Sequence, residues 1–485
     1  MPLRLRLVLA SMLMLFLELA LIRWLGANIL HLSYFSNIVL LGSFLGVGLG
    51  FLRASRSTRP PLYFVVALAG LALLVRVVPV TIDRSGSDLI FFTSLHTTGP
   101  PVWVVLPVVF SCVAVVMAGP GELVARCFVA LPRLDAYRWD LVGSLLGVLL
   151  FTLISYLRAP SVAWGTIAGC LSVLLLAWPA TGERRSVVVP GLAAAGLVGV
   201  LLVESLGAGV SWSPYYKVET LSVRKGTDSL TVVLVNGVPH QNIAPLATRL
   251  KFEPQYSLPY QRTDRTTAGD VLVVGAGNGV DVAQALARGA TRVDAVEIDP
   301  RIQQLGSELN PNRPYADPRV HVHIDDGRAF LQGTDRTFDT VIFALPDSLT
   351  LVAGASQIRL ESYLFTLESF QAVRRHLRPG GEFAMYNGYR QPWLVGRYAN
   401  TVQEAFGHQP CIDTIDNLSN AVITVAREQE HQRCGPAPQL GGAAPVTDAR
   451  PFPYLRTPSL PSLYLWTLLG ILAISLVAVL SLIHI

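Results

Sequence analysis

Seven apolar runs fill most of the first 206 residues and restrict the fold more than any other feature of the sequence. They lie at about residues 7–24, 29–52, 62–80, 101–118, 141–157, 162–178 and 187–203. An α-helix needs roughly 17–25 residues to cross a bilayer, which is close to the length of each run. Of the whole chain, 15% of residues are charged, against about 25% in soluble proteins. We therefore predict a membrane region of about seven transmembrane helices in residues 1–210.

The rest of the chain differs in composition. Residues 211–433 have normal polarity and mix β-like with helical patterns, which predicts one α/β domain. A linker rich in Pro, Gly and Ala spans residues 434–460, and residues 461–485 are predicted to form a further transmembrane helix. The last six residues are what one frame of a widely used transposase sequencing adapter encodes. We therefore expect that this helix is truncated and that the native protein continues.

Residues 270–300 contain a buried strand, a Gly-rich turn, an Ala-rich amphipathic helix and a second strand. Gly275, Gly277 and Gly279 lack the Cβ that would keep the backbone of the turn away from a ligand. Glu297 follows the turn by about 20 residues, where an acid can accept hydrogen bonds from both ribose hydroxyls. This order predicts a Rossmann-like site for an adenosine-bearing cofactor.

Acids follow the next two predicted strands as well. Asp325 and Asp326 end the third strand, and Asp347 follows the fourth. In a doubly wound sheet, ligands bind outside the carboxyl ends of the strands. We therefore expect these three acids to converge with the Gly-rich turn and Glu297 on one crevice.

Two other classes of partner are not indicated. The formal charge of +5 comes from arginines scattered over membrane-flanking loops, so we predict no nucleic-acid binding. His321 and His323 alternate along a strand without a third ligand, and no zinc-type spacing occurs. We favour strand packing for these histidines and predict no metal site.

Two arguments about the orientation in the membrane conflict. Arginines concentrate on alternate loops, which the positive-inside rule makes cytoplasmic; they are Arg4, Arg6, Arg53, Arg56, Arg59, Arg126, Arg133, Arg138, Arg184 and Arg185. Seven crossings would then place the α/β domain outside, where an adenosylated sulfonium is not expected. A missed or re-entrant segment at residues 88–96 or 121–131 would change the number of crossings and place the α/β domain in the cytoplasm. We therefore favour a cytoplasmic domain at the bacterial plasma membrane. In an exported domain, Cys411 and Cys434 could form a bridge.

Charged and small residues also occur inside the apolar runs. Glu18 lies five residues before Arg23, and we favour an intramembrane or interfacial ion pair over a substrate or proton path. Gly42, Gly46 and Gly50 repeat every fourth residue, which predicts close helix packing.

Several segments resemble the spermidine synthase family of polyamine aminopropyltransferases, in particular its membrane-fused bacterial members. The resemblance is carried by Ser213-Pro-Tyr-Tyr-Lys, Leu234-Val-Asn-Gly-Val-Pro-His-Gln, Val296-Glu-Ile-Asp-Pro, Leu360-Glu-Ser-Tyr-Leu-Phe-Thr and Arg378-Pro-Gly-Gly. It implies a β-hairpin layer before a Rossmann-like core of the class I methyltransferase and spermidine synthase type. It also implies that Gln241 faces the substrate, Glu297 binds ribose and Asp326 binds adenine.

The chain departs from this family at the positions that select the donor and deprotonate the acceptor amine. Asn278 replaces an acid that attracts the ammonium end of decarboxylated S-adenosylmethionine, and this neutral residue would relax discrimination against S-adenosylmethionine. Ala344 replaces the Asp that helps to deprotonate the attacking amine. Asp347 matches the family's second acid and is the predicted catalytic and amine-binding residue. Other groups that could act as the base are Asp325, Tyr363 and Glu361.

The leading prediction is aminopropyl transfer from decarboxylated S-adenosylmethionine, or its parent, to an amine such as putrescine. Methyl transfer from S-adenosylmethionine is the first alternative, which Asn278 and Ala344 favour. The second alternative is a nucleoside or polyamine sensor that controls transport through the membrane helices, in which Glu18 would matter more than Asp347. Homo-oligomerisation stays open.

Overall fold

The computed structural model describes two packed parts, a helical bundle and an α/β domain. The described residues are 1–34, 37–56, 59–82, 97–178, 186–225, 228–344, 363–389, 392–415, 420–436, 438, 440–441, 443–454 and 462–484. The predicted fold class, apolar helices joined to a Rossmann-like domain with a hairpin layer, is confirmed.

The bundle is built from the predicted apolar runs. Its helices are α1 (Leu3–Asn28), α2 (Leu30–Tyr34), α3 (Asn37–Ala54), α4 (Tyr63–Val77), α5 (Val102–Ala130), α6 (Arg133–Tyr156), α7 (Ser161–Ala177) and α8 (Val188–Ser205). A short ribbon, β1 (Thr81–Ile82) with β2 (Thr97–Thr98), precedes α5. Six helices in the described part of the chain are long and apolar enough to cross a membrane, including residues Leu465–Ile483 near the end; α4 and α7 are shorter.

One predicted helix start and one suggested re-entrant segment are wrong. The second apolar run is not helical at its first residue, because Ile29 is extended and bridges to Val80. In the described part of the run, α2 and α3 follow. Residues 121–131 are not a re-entrant segment, because α5 continues through Pro107 and Pro120 as far as Ala130. The other suggested segment, residues 88–96, lies outside the described residues.

The predicted close packing occurs between α3 and α5. A Cβ on Gly46 would approach the Met117 Cβ to 2.9 Å and the Ala114 backbone still more closely. The predicted Glu18–Arg23 pair is not found among the described contacts. Residues five apart lie about 140° apart around a helix, and Arg23 instead donates to the Ser213 carbonyl and lies 5.0 Å from the Trp164 ring.

The two ends of the bundle differ. At the end away from the α/β domain, Arg4 contacts Asp135 at 2.8 Å and Arg6 donates to the Leu175 carbonyl at 2.9 Å. At the other end, Trp24 Nε1 donates to Glu204 at 2.7 Å, close to the start of the α/β domain. The N-terminus and the α/β domain therefore lie at opposite ends of the bundle.

The hairpin layer is a four-stranded antiparallel sheet in the order β3-β4-β5-β6. Its strands are β3 (Val210–Trp212), β4 (Lys217–Lys225), β5 (Asp228–Val235) and β6 (Val238–Ile243), and α9 (Leu246–Phe252) follows. Asn236 and Gly237 form the two-residue β5–β6 turn with positive φ values of 51° and 77°, which suits an Asn-Gly pair. This layer joins the bundle to the core.

The core is a seven-stranded sheet in the order β12-β13-β11-β10-β7-β8-β9. Its elements are β7 (Gly269–Val274), α10 (Val280–Ala287), β8 (Ala290–Glu297), α11 (Pro300–Leu309), β9 (Val320–Ile324), α12 (Gly327–Gly333), β10 (Phe338–Ala344), α13 (Leu367–His376), β11 (Leu377–Gly388), α14 (Pro392–Phe406), β12 (Cys411–Ile415) and β13 (Asn420–Ala426). A last apolar helix, α15 (Ser462–His484), ends the described chain. The strand order reverses between β7 and β10, and in such sheets ligands bind in the crevice at the reversal.

Candidate functional site

The Gly-rich turn leads from β7 into α10 with three left-handed glycines. Gly275, Gly277 and Gly279 have φ values of 79°, 53° and 87°, a region that disfavours residues with a Cβ. Gly279 is the residue before the first turn of α10. The turn therefore adopts the tight path that the sequence predicts.

Glu297, the last residue of β8, is bound to this turn. Its Oε2 accepts a hydrogen bond from the Gly277 N–H at 2.8 Å, and its Oε1 accepts one from the Asp299 N–H at 2.9 Å. The residue is 6% exposed. Burial raises the pKa of the Glu297 carboxyl to about 7, although these backbone N–H groups oppose the shift. The Glu297 carboxylate thus lies against the backbone of the Gly-rich turn.

Asp325 and Asp326 lie immediately beyond β9. Asp326 caps α12, accepting hydrogen bonds from the Arg328 and Ala329 N–H groups at 3.0 and 2.9 Å. The Asp325 N–H donates to the Glu297 carbonyl at 3.2 Å. These contacts bring both acids to the crevice that holds Glu297.

The hairpin layer closes the other side of the turn. Gln241 Oε1 accepts a hydrogen bond from the Asn278 N–H at 2.8 Å. The Asn278 side chain donates to the Asn242 carbonyl at 3.2 Å and is 3% exposed. Gln241 and Asn278 therefore lie side by side at the turn.

The structure describes only some of the residues predicted to act in catalysis. Ala344 ends β10 and is 3% exposed. Asp347 and Glu361 lie outside the described residues. Tyr363 is near α12, where its carbonyl accepts a hydrogen bond from Arg328 at 2.6 Å and its ring lies 6.0 Å from the Arg328 guanidinium.

Sequence reasoning missed two tyrosines at the turn and gave no role to a third, Tyr215. Tyr315 donates to the Gly277 carbonyl at 2.7 Å. Tyr386 donates to Asp281, in the first turn of α10, at 2.6 Å. Tyr215 belongs to a segment noted in the sequence only for its resemblance; partial burial raises the pKa of its hydroxyl, and the negative charges of Asp299, Asp326 and Asp325 raise it further.

Comparison with known proteins identifies the α/β core. Residues 261–434 match the family model of the spermine/spermidine synthase domain. A polyamine aminopropyltransferase of Mycobacterium tuberculosis (strain CDC 1551 / Oshkosh) is 30% identical over 260 residues, covering 49% of this chain and 47% of that protein. Spermidine synthase 1 of Hyoscyamus niger is 36% identical over 116 residues, covering 23% of this chain and 34% of that protein.

A crystal structure of a probable spermidine synthase from Corynebacterium glutamicum superposes with a TM-score of 0.35 and 19% identity, covering 46% of this chain and 81% of that one. The chain spans about half the length of the mycobacterial relative. Within the chain, the matched segment holds the Gly-rich turn, Glu297, Asp325 and Asp326. The chain therefore carries a domain of the spermine/spermidine synthase family.

Proposed function

We propose that this chain is a membrane-bound aminopropyltransferase that uses decarboxylated S-adenosylmethionine as donor and a small amine such as putrescine as acceptor. The observation that carries the proposal is the family match over residues 261–434 together with the hydrogen-bonded turn and Glu297 inside that segment. The mycobacterial relative is named a polyamine aminopropyltransferase, which supports the same reaction.

The described residues fit an adenosyl donor. Glu297 would exchange its backbone N–H partners for the two ribose hydroxyls, and Asp326 would accept a hydrogen bond from the adenine amino group. Gln241 and Asn278 would border the sulfonium side of the donor. Positioning of this kind can supply much of the acceleration, because the donor is already electrophilic.

The reaction balances without an external reagent. A base first removes one proton from the ammonium group of the acceptor and frees its lone pair. The lone pair attacks the aminopropyl carbon next to sulfur, the C–S bond breaks, and its electrons return to sulfur to give methylthioadenosine. The new secondary nitrogen keeps the positive charge. Asp347 stays the predicted amine-binding residue.

Methyl transfer from S-adenosylmethionine is a second candidate, which one observation favours. The Asn278 side chain is neutral and donates to the Asn242 carbonyl, so no fixed negative charge at this position would repel the extra carboxylate of S-adenosylmethionine. The products separate the two reactions, because aminopropyl transfer releases methylthioadenosine and methyl transfer releases S-adenosylhomocysteine. Binding without turnover would support the sensor alternative.

We also propose that the bundle is embedded in the plasma membrane with the α/β domain on its outer side. Arg4 and Arg6, two of the arginines predicted to be cytoplasmic, lie at the end opposite that domain, and the positive-inside rule places this end in the cytoplasm. Cys411 and Cys434 form a disulfide, which is rare in the cytoplasm. Both observations favour the outer side over the cytoplasmic side expected earlier. A donor would then have to reach the site from outside the cytoplasm.

Thiol labelling of the full chain in intact cells tests this orientation. In a background with Cys112, Cys127 and Cys170 changed to Ser, Glu308→Cys would report the α/β domain. Leu134→Cys, at the opposite end, is the matched control; its side chain is largely exposed. A membrane-impermeant maleimide should label position 308 in intact cells and position 134 only after permeabilisation. The reverse pattern would place the domain in the cytoplasm.

A further inference from the structure

We propose that Asp281 accepts the proton of the attacking amine, in place of the acid that is missing at Ala344. This inference rests on the proposed aminopropyl transfer and names a residue for its proton-transfer step. Tyr386 is the positioning residue that holds the Asp281 carboxylate.

Strand register places Tyr386, the hydrogen-bond partner of Asp281, beside the position of the missing acid. Ala344 on β10 is the register partner of Tyr386 on the neighbouring parallel strand β11, so their side chains emerge on the same face of the sheet. Both residues pack in one buried cluster with Ala276 and Val280 from the Gly-rich turn and α10. The Tyr386 hydroxyl donates to Asp281 Oδ2 at 2.6 Å. The hydrogen bond from β11 to α10 therefore passes over β10, whose last residue is Ala344.

Ala344 has a small, uncharged side chain, and the Asp281–Tyr386 pair lies on the same face of the sheet. An Asp at position 344 would emerge on the face that holds Tyr386, whose hydroxyl already donates to the Asp281 carboxylate. Two carboxylates in one buried site repel each other, and one of them then keeps its proton. An acid at 281 combined with Ala at 344 leaves a single carboxylate at this place.

The surroundings of Asp281 suit a proton acceptor. Facing it are Arg249 of α9, Glu253 directly after α9, Tyr256 and Tyr260 of the turns that follow, Tyr315 beyond α11, and Tyr386. Arg249 pairs with Glu253 and donates to the Tyr256 hydroxyl at 2.6 Å, so its charge is already partly balanced. Burial raises the pKa of Asp281 to about 7, near the pH at which a general base works best.

The proposed step transfers one proton. The attacking nitrogen of the acceptor enters as an ammonium and gives one proton to the Asp281 carboxylate, which frees the lone pair. The lone pair then attacks carbon as the C–S bond breaks, and the new secondary nitrogen keeps the positive charge. Asp281 becomes neutral and stays hydrogen-bonded to Tyr386, and solvent recovers the proton after product release. Glu297 acts on the donor and takes no part in this transfer.

Kinetics of the full chain in detergent, with decarboxylated S-adenosylmethionine and putrescine, test the proposal. We expect Asp281→Asn to lower kcat by about 10²- to 10⁴-fold and to remove the rise of kcat with pH near 7. Donor affinity, measured by calorimetry, should change less than threefold. Tyr386→Phe should lower kcat less and shift the rising limb of the pH profile.

The double variant Asp281→Ala with Ala344→Asp places a carboxylate on β10 instead of on α10. Its kcat should be at least tenfold higher than that of Asp281→Ala. An Asp281→Asn variant with wild-type kcat, or a double variant no better than Asp281→Ala, would overturn the proposal while leaving the transferase function intact. If Asp281→Asn does not fold, the comparison of Asp281→Ala with the double variant decides. A wild-type chain without transferase activity overturns the proposed function itself.

Discussion

The Lys217 ammonium of β4 lies 3.0 Å from the Glu204 carboxylate at the end of α8, with 9% and 7% of the two side chains exposed. Lys217 also donates to Asn28 at the end of α1. One lysine therefore joins the hairpin layer to two membrane helices. Removing one partner of a buried pair leaves an uncompensated charge.

We predict that Lys217→Met lowers the free energy of unfolding by about 3–5 kcal/mol, whereas Lys217→Met with Glu204→Gln loses much less. Thermal unfolding in detergent measures both. Lys251→Met is the control, because Lys251 makes no such pair among the described contacts. Equal losses in the single and double variants would show that the pair does not stabilise this junction.

Glu297→Gln should weaken donor binding by about 10- to 100-fold, since a hydrogen bond to a charged group contributes about 1.5–3 kcal/mol. A carboxylate accepts at both oxygens, whereas an amide accepts at only one. Calorimetric titration of the full chain with decarboxylated S-adenosylmethionine measures the change. Glu308→Gln, on the exposed side of α11, should bind as the wild type does; unchanged binding by Glu297→Gln would remove Glu297 from the donor site.

Donor affinity should also depend on pH through Glu297. Burial raises the pKa of its carboxyl to about 7, so the group is largely protonated at pH 6 and ionised at pH 8. Affinity should therefore rise between these values, by at most about tenfold per unit, and Glu297→Gln should remove the rise. The free energy of unfolding should move in the opposite direction: the folded state keeps this proton to a higher pH than the unfolded chain, so stability falls as the pH rises from about 4.5 through 7. A flat binding profile in the wild type would contradict this assignment.

The disulfide Cys411–Cys434 closes a loop of sequence separation 23. Loop closure of this size stabilises a domain by about 3 kcal/mol. We predict that Cys411→Ser with Cys434→Ser lowers the thermal midpoint, and that a reducing agent does the same to the wild type but has no effect on the double variant. Free thiols at both positions in protein isolated without reductant would contradict the disulfide and weaken the argument for the outer side.

Close packing of α3 on α5 gives a matched pair of variants. Gly46→Val should clash with Ala114 and Met117 and lower bundle stability by about 1–3 kcal/mol. Gly48→Val, on the same helix, meets nothing within 4 Å and should behave as the wild type. Equal thermal midpoints for the two variants would show that this glycine face is not a packing surface.

Local patterns in the sequence predicted the helices, the Gly-rich turn and the convergence of Glu297, Asp325 and Asp326. They did so because the apolar length of a helix, the glycines of a turn and the acids at strand ends can all be read from short stretches of sequence. The Asp281–Tyr386 hydrogen bond joins residues 105 apart, and the Arg23–Ser213 contact joins residues 190 apart. Such partners are set by strand order and by how the bundle meets the domain, so local pattern does not reveal them.

The start of the second apolar run differs from the prediction for a related reason. The run is apolar from residue 29, but Ile29 is extended and bridges to Val80, which is distant in sequence. The partners of Arg23 are also distant in sequence. Closeness in sequence suggested a Glu18–Arg23 pair, whereas Arg23 contacts Trp164 and Ser213.

Product analysis tests the central claim most directly. The purified full chain would be incubated with putrescine and either decarboxylated S-adenosylmethionine or S-adenosylmethionine, and the nucleoside and amine products would be identified by mass spectrometry. We predict methylthioadenosine and spermidine in equal amounts from the decarboxylated donor, with Glu297→Gln as the impaired control. S-adenosylhomocysteine from S-adenosylmethionine, or donor binding with no product, would contradict aminopropyl transfer.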